Sequence, residues 1–321
     1  MSSSVSANRL RKQFGDTRAL DDVSFDVAAG DLFGFIGPDG GGKTTLFRIL
    51  VTLLTPDAGD ARVLGLDVVR DMWALRQRVG YMPGRFSLYP DLSVEENLRF
   101  FASVFGTTPE REYEHIAPIY DQIVPFKDRR AAALSGGMKQ KLALCCALVH
   151  RPDILFLDEP TTGIDAVSRR ELWDLLGRLR ERGMAVVVST PYMDEANRCD
   201  RVALIQSGRV IALDAPAAIA ASLGRPLLAV RAGARHAALQ ALRTFPHVHS
   251  AFSFGDVHHY TDERLDLTAQ TLADELRRHL DAAGLSDAEV TPVTPTVEDV
   301  FIERMGSQHF QPPTANSHGR P

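Results

Sequence analysis

The stretch Gly37-Pro38-Asp39-Gly40-Gly41-Gly42-Lys43-Thr44-Thr45 constrains this chain more than any other. It has the form G-x-x-x-x-G-K-T, in which glycines let the backbone turn tightly and aim successive N–H groups at an anion. The residues before it, Asp31-Leu32-Phe33-Gly34-Phe35-Ile36, are mostly apolar, which predicts a short buried parallel strand. Those after it, Thr44 to Leu54, are apolar at Leu46, Ile49, Leu50 and Leu53, which predicts a helix. A helix N-terminus favours negative charge, so strand, glycine loop and helix together read as a phosphate site. Lys43 is expected to reach the β- and γ-phosphates of a nucleotide, and the Thr44 hydroxyl to hold Mg²⁺.

The flanking pattern supports an α/β domain. Residues 8 to 28 alternate like a half-exposed antiparallel strand pair with a turn at Asp16-Thr17. Phe14 precedes that turn; it reads equally as a core or hairpin aromatic and as a stacking platform for adenine. Ala61 to Leu66 and Val79 to Met82 read as strands, and Val69 to Arg78 as a polar helix. Ser93 and Glu96 have capping-box spacing, and residues 93 to 150 are mostly helical in pattern. Ser135 is a natural N-cap and Gly136-Gly137 allows close backbone approach. Two readings stand for that helix start: a second phosphate site, or a well-capped helix. Ile154-Leu155-Phe156-Leu157 leads into Asp158-Glu159. An acid at the end of a parallel strand beside a phosphate loop is placed for Mg²⁺, which points to Asp158, and Glu159 is placed to orient or deprotonate water. The alternative is a surface acidic turn. Met184 to Ser189 reads as a buried strand, Thr190-Pro191 as the N-cap and first residue of a helix, and Arg201 to Leu213 as a hairpin.

Composition removes several function classes. A net charge of −5 argues against a nucleic-acid groove. Three cysteines, Cys145, Cys146 and Cys199, form neither a disulfide framework nor a zinc spacing, which suits a reducing cytosol. The first residues lack the apolar core of a signal peptide, and the longest apolar runs are about eight residues, against the ~20 needed to span a bilayer. A membrane role is therefore expected to come through a partner.

Taken together, the glycine loop, Leu134-Ser135-Gly136-Gly137-Met138, Ile154 to Pro160, Thr162-Gly163-Ile164-Asp165 and Tyr192 to Arg201 resemble the ATP-binding subunit of an ABC transporter, over about residues 6 to 222. Val79-Gly80-Tyr81-Met82-Pro83 and Ser93 to Asn97 resemble the subgroup that serves ABC-2-type exporters. The resemblance implies a P-loop ATPase cassette with a mixed-sheet core, an antiparallel β subdomain and a helical signature subdomain at about residues 93 to 150. It implies ATP and Mg²⁺ as cofactors, bound by residues 37 to 45, with Phe14 stacking adenine and Asp165 in the loop between cassettes. Two cassettes meet head to tail in that family, and Ser135, Gly136 and Gly137 would cover the partner's nucleotide. The implied partners are membrane permease subunits and a second cassette, and the implied place is the inner face of the cell membrane. Three positions depart from the family pattern: Gly84 replaces a glutamine, Pro191 a histidine, and Asp39 a neutral residue. The first two weaken the chain's own hydrolytic site and lead to the expectation of a partly degenerate half of a cassette heterodimer.

The cassette is expected over residues 1 to 223. Residues 224 to 306 read as a small α+β domain of βαββαβ order, and 307 to 321 as a disordered tail. His247, His249, His258 and His259 cluster in the second domain, with His247 and His249 expected on one strand face, where a metal is conceivable. The rival readings are a soluble ABC ATPase of translation or chromosome maintenance, and a nucleotide sensor that does not hydrolyse. No internal repeat or heptad run favours the first of these.

Overall fold

The computed structural model describes residues 3–84 and 88–309, with side chains as far as 305. The chain separates into two compact units, one ending at Pro216 and one starting at Ala217. Along the first unit run β1 (Ser3–Phe14), β2 (Thr17–Ala28), β3 (Leu32–Ile36), α1 (Lys43–Leu50), β4 (Ala58–Val63), β5 (Leu66–Asp67), α2 (Met72–Arg76) and β6 (Val79–Met82). There follow α3 (Val94–Val104), α4 (Tyr113–Tyr120), α5 (Gly136–Leu148), β7 (Ile154–Asp158), α6 (Ala166–Glu181), β8 (Ala185–Thr190), β9 (Arg201–Gln206) and β10 (Arg209–Asp214). A short helix, α7 (Pro216–Ala221), follows.

Two sheets enclose α1. The larger has the order β10-β9-β3-β8-β7-β6. Its strands are parallel except for the antiparallel pairing of β10 with β9. The smaller is antiparallel, with the order β2-β1-β4-β5. Strands β3, β7 and β8 are buried at every position, which is why they read as continuous apolar runs rather than alternating ones. Edge-on aromatic contacts tie the layers together. Phe35 meets Phe25 at 4.8 Å and Phe47 at 5.9 Å, and Phe47 of α1 meets Phe156 of β7 at 5.8 Å.

Local boundaries differ from the sequence expectations for identifiable reasons. The first hairpin turns at Gly15-Asp16, because Thr17 already pairs with Phe14. Helix α1 ends at Leu50 rather than Leu54: Thr52 is left-handed (φ 66°), and the N–H groups of Leu53 and Leu54 both bond Arg48 O. Leu53 is thereby left exposed. Helix α2 is shorter than expected because the Asp67 carboxylate takes the N–H groups of Val69 and Arg70 and holds a turn there. The capping box of α3 forms as its spacing predicts, with both the Ser93 and Glu96 bonds present. Thr190 is not an N-cap. It is the last residue of β8, and the next segment is a 3₁₀ turn over Met193–Arg198.

The second unit holds β11 (Leu227–Arg231), α8 (Arg235–Thr244), β12 (Val248–Phe254), β13 (Val257–Asp262), α9 (Ala269–Ala282), β14 (Glu289–Val293) and α10 (Val297–His309). Its antiparallel sheet has the order β12-β13-β11-β14, the split βαβ arrangement expected from the sequence. Leu228, Val230, Tyr260 and Val290 of the sheet join Leu242, Leu272, Leu276 and Leu280 of the helices in one core. Strand β13 stops at Asp262, whose carboxylate takes the Arg264 N–H and starts a turn. The histidines do not share a site. His247 precedes β12, so it does not share a strand face with His249. His249 lies 3.0 Å from Glu303, His258 bonds Arg235 O and Ser253, and His259 bonds Asp299. Among the described residues no three metal-ligating side chains converge. Residues 307–309 continue α10, and 310–321 of the expected tail lie outside the described residues.

Candidate functional site

The glycine loop leaves the C-terminal end of β3 and enters α1, and surrounding backbone fixes its shape. Gly37 N–H donates to Thr190 O at 3.2 Å, Gly41 N–H to Pro38 O at 3.1 Å, and Gly208 N–H to Gly41 O at 3.0 Å. At two positions only glycine fits. A Cβ on Gly37 would sit 1.9 Å from Ile205 O, and one on Gly42, whose φ is 104°, would sit 2.5 Å from Ala19 O. The end of β9, the β9–β10 turn and β2 therefore press the loop into its curve.

That curve opens on a cleft of about 340 Å³ lined by Thr17, Arg18, Ala19, Asp39, Gly40, Gly42, Lys43, Thr44, Thr45 and Glu159. Lys43 is 3% exposed, and its ammonium donates to Gly37 O at 2.9 Å and Pro38 O at 3.1 Å. Glu159 Oε1 lies 3.2 Å from the same nitrogen. Thr44 and Thr45 are half-buried in the cleft, whereas Asp39 is exposed at its mouth. Pro38 is not among the lining residues, and its carbonyl accepts the Lys43 ammonium.

Asp158 and Glu159 are no surface turn. Asp158 is 1% exposed at the end of β7, and its carboxylate accepts the Ser189 hydroxyl at 2.5 Å. Glu159 stands in the left-handed region (φ 52°), which costs a β-carbon-bearing residue about 1–2 kcal/mol. Its N–H is held by Ser189 through both the hydroxyl, at 3.0 Å, and the carbonyl, at 3.1 Å. The side chain is thereby turned toward Lys43. Behind Asp158, burial first and the Asp158 charge second push the Tyr81 phenol up to about 12, so it stays protonated. Gly84 and Pro191 both belong to this corner. A Cβ on Gly84 would lie 3.0 Å from Asp158 O and 3.7 Å from Glu159 Cβ, and Pro191 follows Thr190, which holds the loop.

Two sets of expected residues lie elsewhere. Phe14 is 49% exposed at the end of β1, with the Lys12 ammonium 5.6 Å from its ring centre, so it is not a core aromatic. It does not line the cleft, although Thr17–Ala19 of the same hairpin do. Ser135, Gly136 and Gly137 are also outside the cleft. They start α5, where Ser135 Oγ accepts the Met138 N–H at 3.3 Å. Gly137 packs so closely on α6 that a Cβ would sit 2.4 Å from Ser168 Oγ. Asp165 caps α6, and bonds from the Ser168 N–H, the Ser168 hydroxyl and the Val167 N–H, in that order of weight, hold its carboxyl below the usual range. The sequence reading missed Thr17, Arg18, Ala19 and Ser189. Only Ser189 left a trace, as the first polar residue after the run Ala185-Val186-Val187-Val188.

A second cleft, apolar and about 440 Å³, is lined by residues that include Leu53, Trp73, Tyr81, Val104, Cys146 and His150. Trp73 is 71% exposed on its rim, under the Arg76 guanidinium.

Residues 20–162 match the family model described as ABC transporter. The probable multidrug ABC transporter ATP-binding protein YbhF of Escherichia coli is 44% identical over 214 residues, which are 66% of this chain and 37% of that protein. The chain thus spans little more than a third of that relative. The Nod factor export ATP-binding protein I of Bradyrhizobium diazoefficiens is 34% identical over 310 residues, covering 93% of this chain and 95% of that protein. A solved ATP-binding subunit of an ABC transporter superposes with a TM-score of 0.63 at 25% identity, over 69% of this chain and 94% of the other. On the order of its motifs, its fold and these matches, the chain belongs to the ABC transporter family, as one of its ATP-binding proteins.

Proposed function

We propose that the chain is the ATP-binding and ATP-hydrolysing energy-coupling subunit of an ABC-2-type exporter, working at the cytoplasmic face of a membrane. The observation that carries this reading is the clamped glycine loop with Lys43 at its centre and Asp158 and Glu159 beside it. ATP is the substrate. Loop N–H groups and Lys43 bind its phosphates, and Thr44 and Asp158 hold Mg²⁺, a hard cation that oxygen ligands suit. When bound, the ion would supply countercharge to the phosphates. Glu159 orients or deprotonates the attacking water, and Phe14, exposed beside the cleft-lining turn, stacks on adenine. Ser135, Gly136 and Gly137 serve the nucleotide of a second cassette. The cassette extends over residues 1–223, with its helical subdomain at about 93–150, and residues 224–306 form a separate packing module.

Export is supported by the relatives, a probable multidrug ABC transporter ATP-binding protein and a Nod factor export ATP-binding protein. A permease partner is supported by the apolar cleft and its exposed tryptophan, which suit an apolar cytoplasmic helix. Among the described residues no helix is long and apolar enough to cross a membrane. The test is co-purification from detergent with a permease encoded nearby, followed by crosslinking from cysteines placed at Tyr89 and Trp73. The family resemblance implies that residues 85–98 touch the permease, and 85–87 of these lie outside the described residues. An active complex with no crosslink from either position would count against the permease contact. A chain that binds ATP but never co-purifies with a membrane protein would favour a nucleotide sensor.

A further inference from the structure

Glu195 is a buried carboxylate that the chemistry above does not use. It is 2% exposed, and its Oε2 accepts the hydroxyl of Thr190 at 2.5 Å and that of Thr161 at 3.1 Å. Both threonines are fully buried. Thr190 is the residue whose carbonyl holds Gly37 N–H, and its Oγ1 also accepts the Tyr192 N–H at 3.1 Å. Thr161 lies two residues beyond Glu159. One carboxylate oxygen thus joins the strand end that holds the phosphate loop to the turn that carries the candidate base.

The other oxygen is placed differently. Glu195 Oε1 makes no hydrogen bond, and neither does Arg169 Nε, which lies 3.7 Å away. The Arg169 guanidinium lies over the Tyr192 ring, 4.2 Å from its centre. Arg169 supplies countercharge without taking either threonine's place. Burying a carboxylate is costly, and an apolar side chain of like volume would fill the space at less expense. A role beyond filling space is therefore required. The two neighbouring positions make that role specific: Gly84 has no side chain, and Pro191 has no donor. Neither contributes a side-chain bond to hold this corner, so the ties through Thr161 and Thr190 bear more of its geometry.

We propose that Glu195 is a positioning residue for ATP hydrolysis, setting the place of Glu159 against the phosphate loop through the Thr161 and Thr190 hydroxyls. The inference rests on the ATPase reading above. It predicts that removing the acceptor slows turnover without changing how ATP binds.

The test uses the full chain without a second kind of cassette, so that every turnover measured is at its own site beside Glu159. Glu195→Met keeps the length and removes both acceptors, whereas Glu195→Gln keeps one carbonyl oxygen for both hydroxyls. Glu195→Met is expected to lower kcat on the order of 10–100-fold, with KM for ATP within about twofold of the parent. Glu195→Gln is expected to restore most of kcat. Thr161→Val should lower kcat alone and add little on top of Glu195→Met, because both act through one bond. Should Glu195→Met fail to fold, Thr161→Val carries the same expectation at nearly constant volume. Parent-like kcat in either variant overturns the proposal. So does a matched change of kcat and KM in Met and Gln variants alike, which would mark a packing role. A parent chain that turns over no ATP overturns the ATPase reading and this role with it, and that failure is seen in the parent rather than in the variants.

Discussion

At Lys43 one side chain is asked to do two things. Its buried ammonium closes the loop on its own carbonyls and faces Glu159, and it is the only cation among the cleft-lining residues besides Arg18. Hydrogen bonds to charged groups contribute about 1.5–3 kcal/mol, so Lys43→Ala is expected to weaken Mg²⁺-ATP binding about ten- to hundredfold. Calorimetry decides this, and equal affinity in variant and parent would sink the phosphate-loop assignment. Gly37 makes a stricter demand. A Cβ there would overlap Ile205 O, so Gly37→Ala should destabilise the unit by about 3 kcal/mol or more and remove nucleotide binding. Gly177, inside α6 with nothing within 4 Å of an added Cβ, is the control. Gly177→Ala should stabilise by about 0.5–1 kcal/mol in urea unfolding, through helix propensity alone.

Among the elements, those whose chemistry is local were legible in the sequence. The loop, its strand, the α3 capping box and the Asp158-Glu159 strand end each need fixed residues at fixed short spacing, and each formed where it was expected. The remainder of the cleft arrives from other elements. Thr17–Ala19 come from a hairpin and Ser189 from β8, and nothing in those short segments marks them as neighbours of Lys43. Helix ends were misjudged where a side chain or a left-handed residue captured backbone groups, as at Thr52 and Asp67. The βαββαβ unit was legible by its periodicity, but its histidines were not, because their partners come from other elements. His259 shows this. It bonds buried Asp299 of α10. Burial alone would raise the Asp299 carboxyl, but the bonds from His259 and Thr296 outweigh it and hold the carboxyl below its usual 3.8. A carboxyl depressed in the folded state adds stability above its unfolded value and loses it as pH falls through the folded value. The second unit should therefore be destabilised below about pH 4, with earlier hydrogen exchange at β13 amides, and Asp299→Asn should abolish that part of the pH dependence.

At the scale of the whole molecule, the damage to the expected pattern is one-sided. Gly84 and Pro191 stand in the corner proposed to handle this chain's own nucleotide, next to Asp158, Glu159 and the phosphate loop. The helix start at Ser135, Gly136 and Gly137 retains its cap and its close packing on α6, and it lies outside that cleft. In the proposed head-to-tail pairing this helix N-terminus would serve the nucleotide of the second cassette. A chain that had lost all activity would not need it. The arrangement therefore fits the weaker half of a cassette heterodimer, one that binds ATP at its own site and completes the site of its partner. Loss of one transition-state donor costs about 10²–10³ in rate, so the chain alone should bind ATP and hydrolyse it slowly. Mixing it with a cassette that carries its own glutamine and histidine should raise turnover at the partner's site. In that complex Ser135→Arg should abolish activity, because a bulky cation at the α5 N-terminus blocks the facing phosphates, whereas Glu159→Gln should matter much less. Glu159 itself is intact and turned toward Lys43, so the opposite result has a structural basis too. Brisk ATPase activity from this chain as a homodimer, lost on Glu159→Gln, would show that its own site is complete without those two side chains and that the asymmetry has no functional meaning.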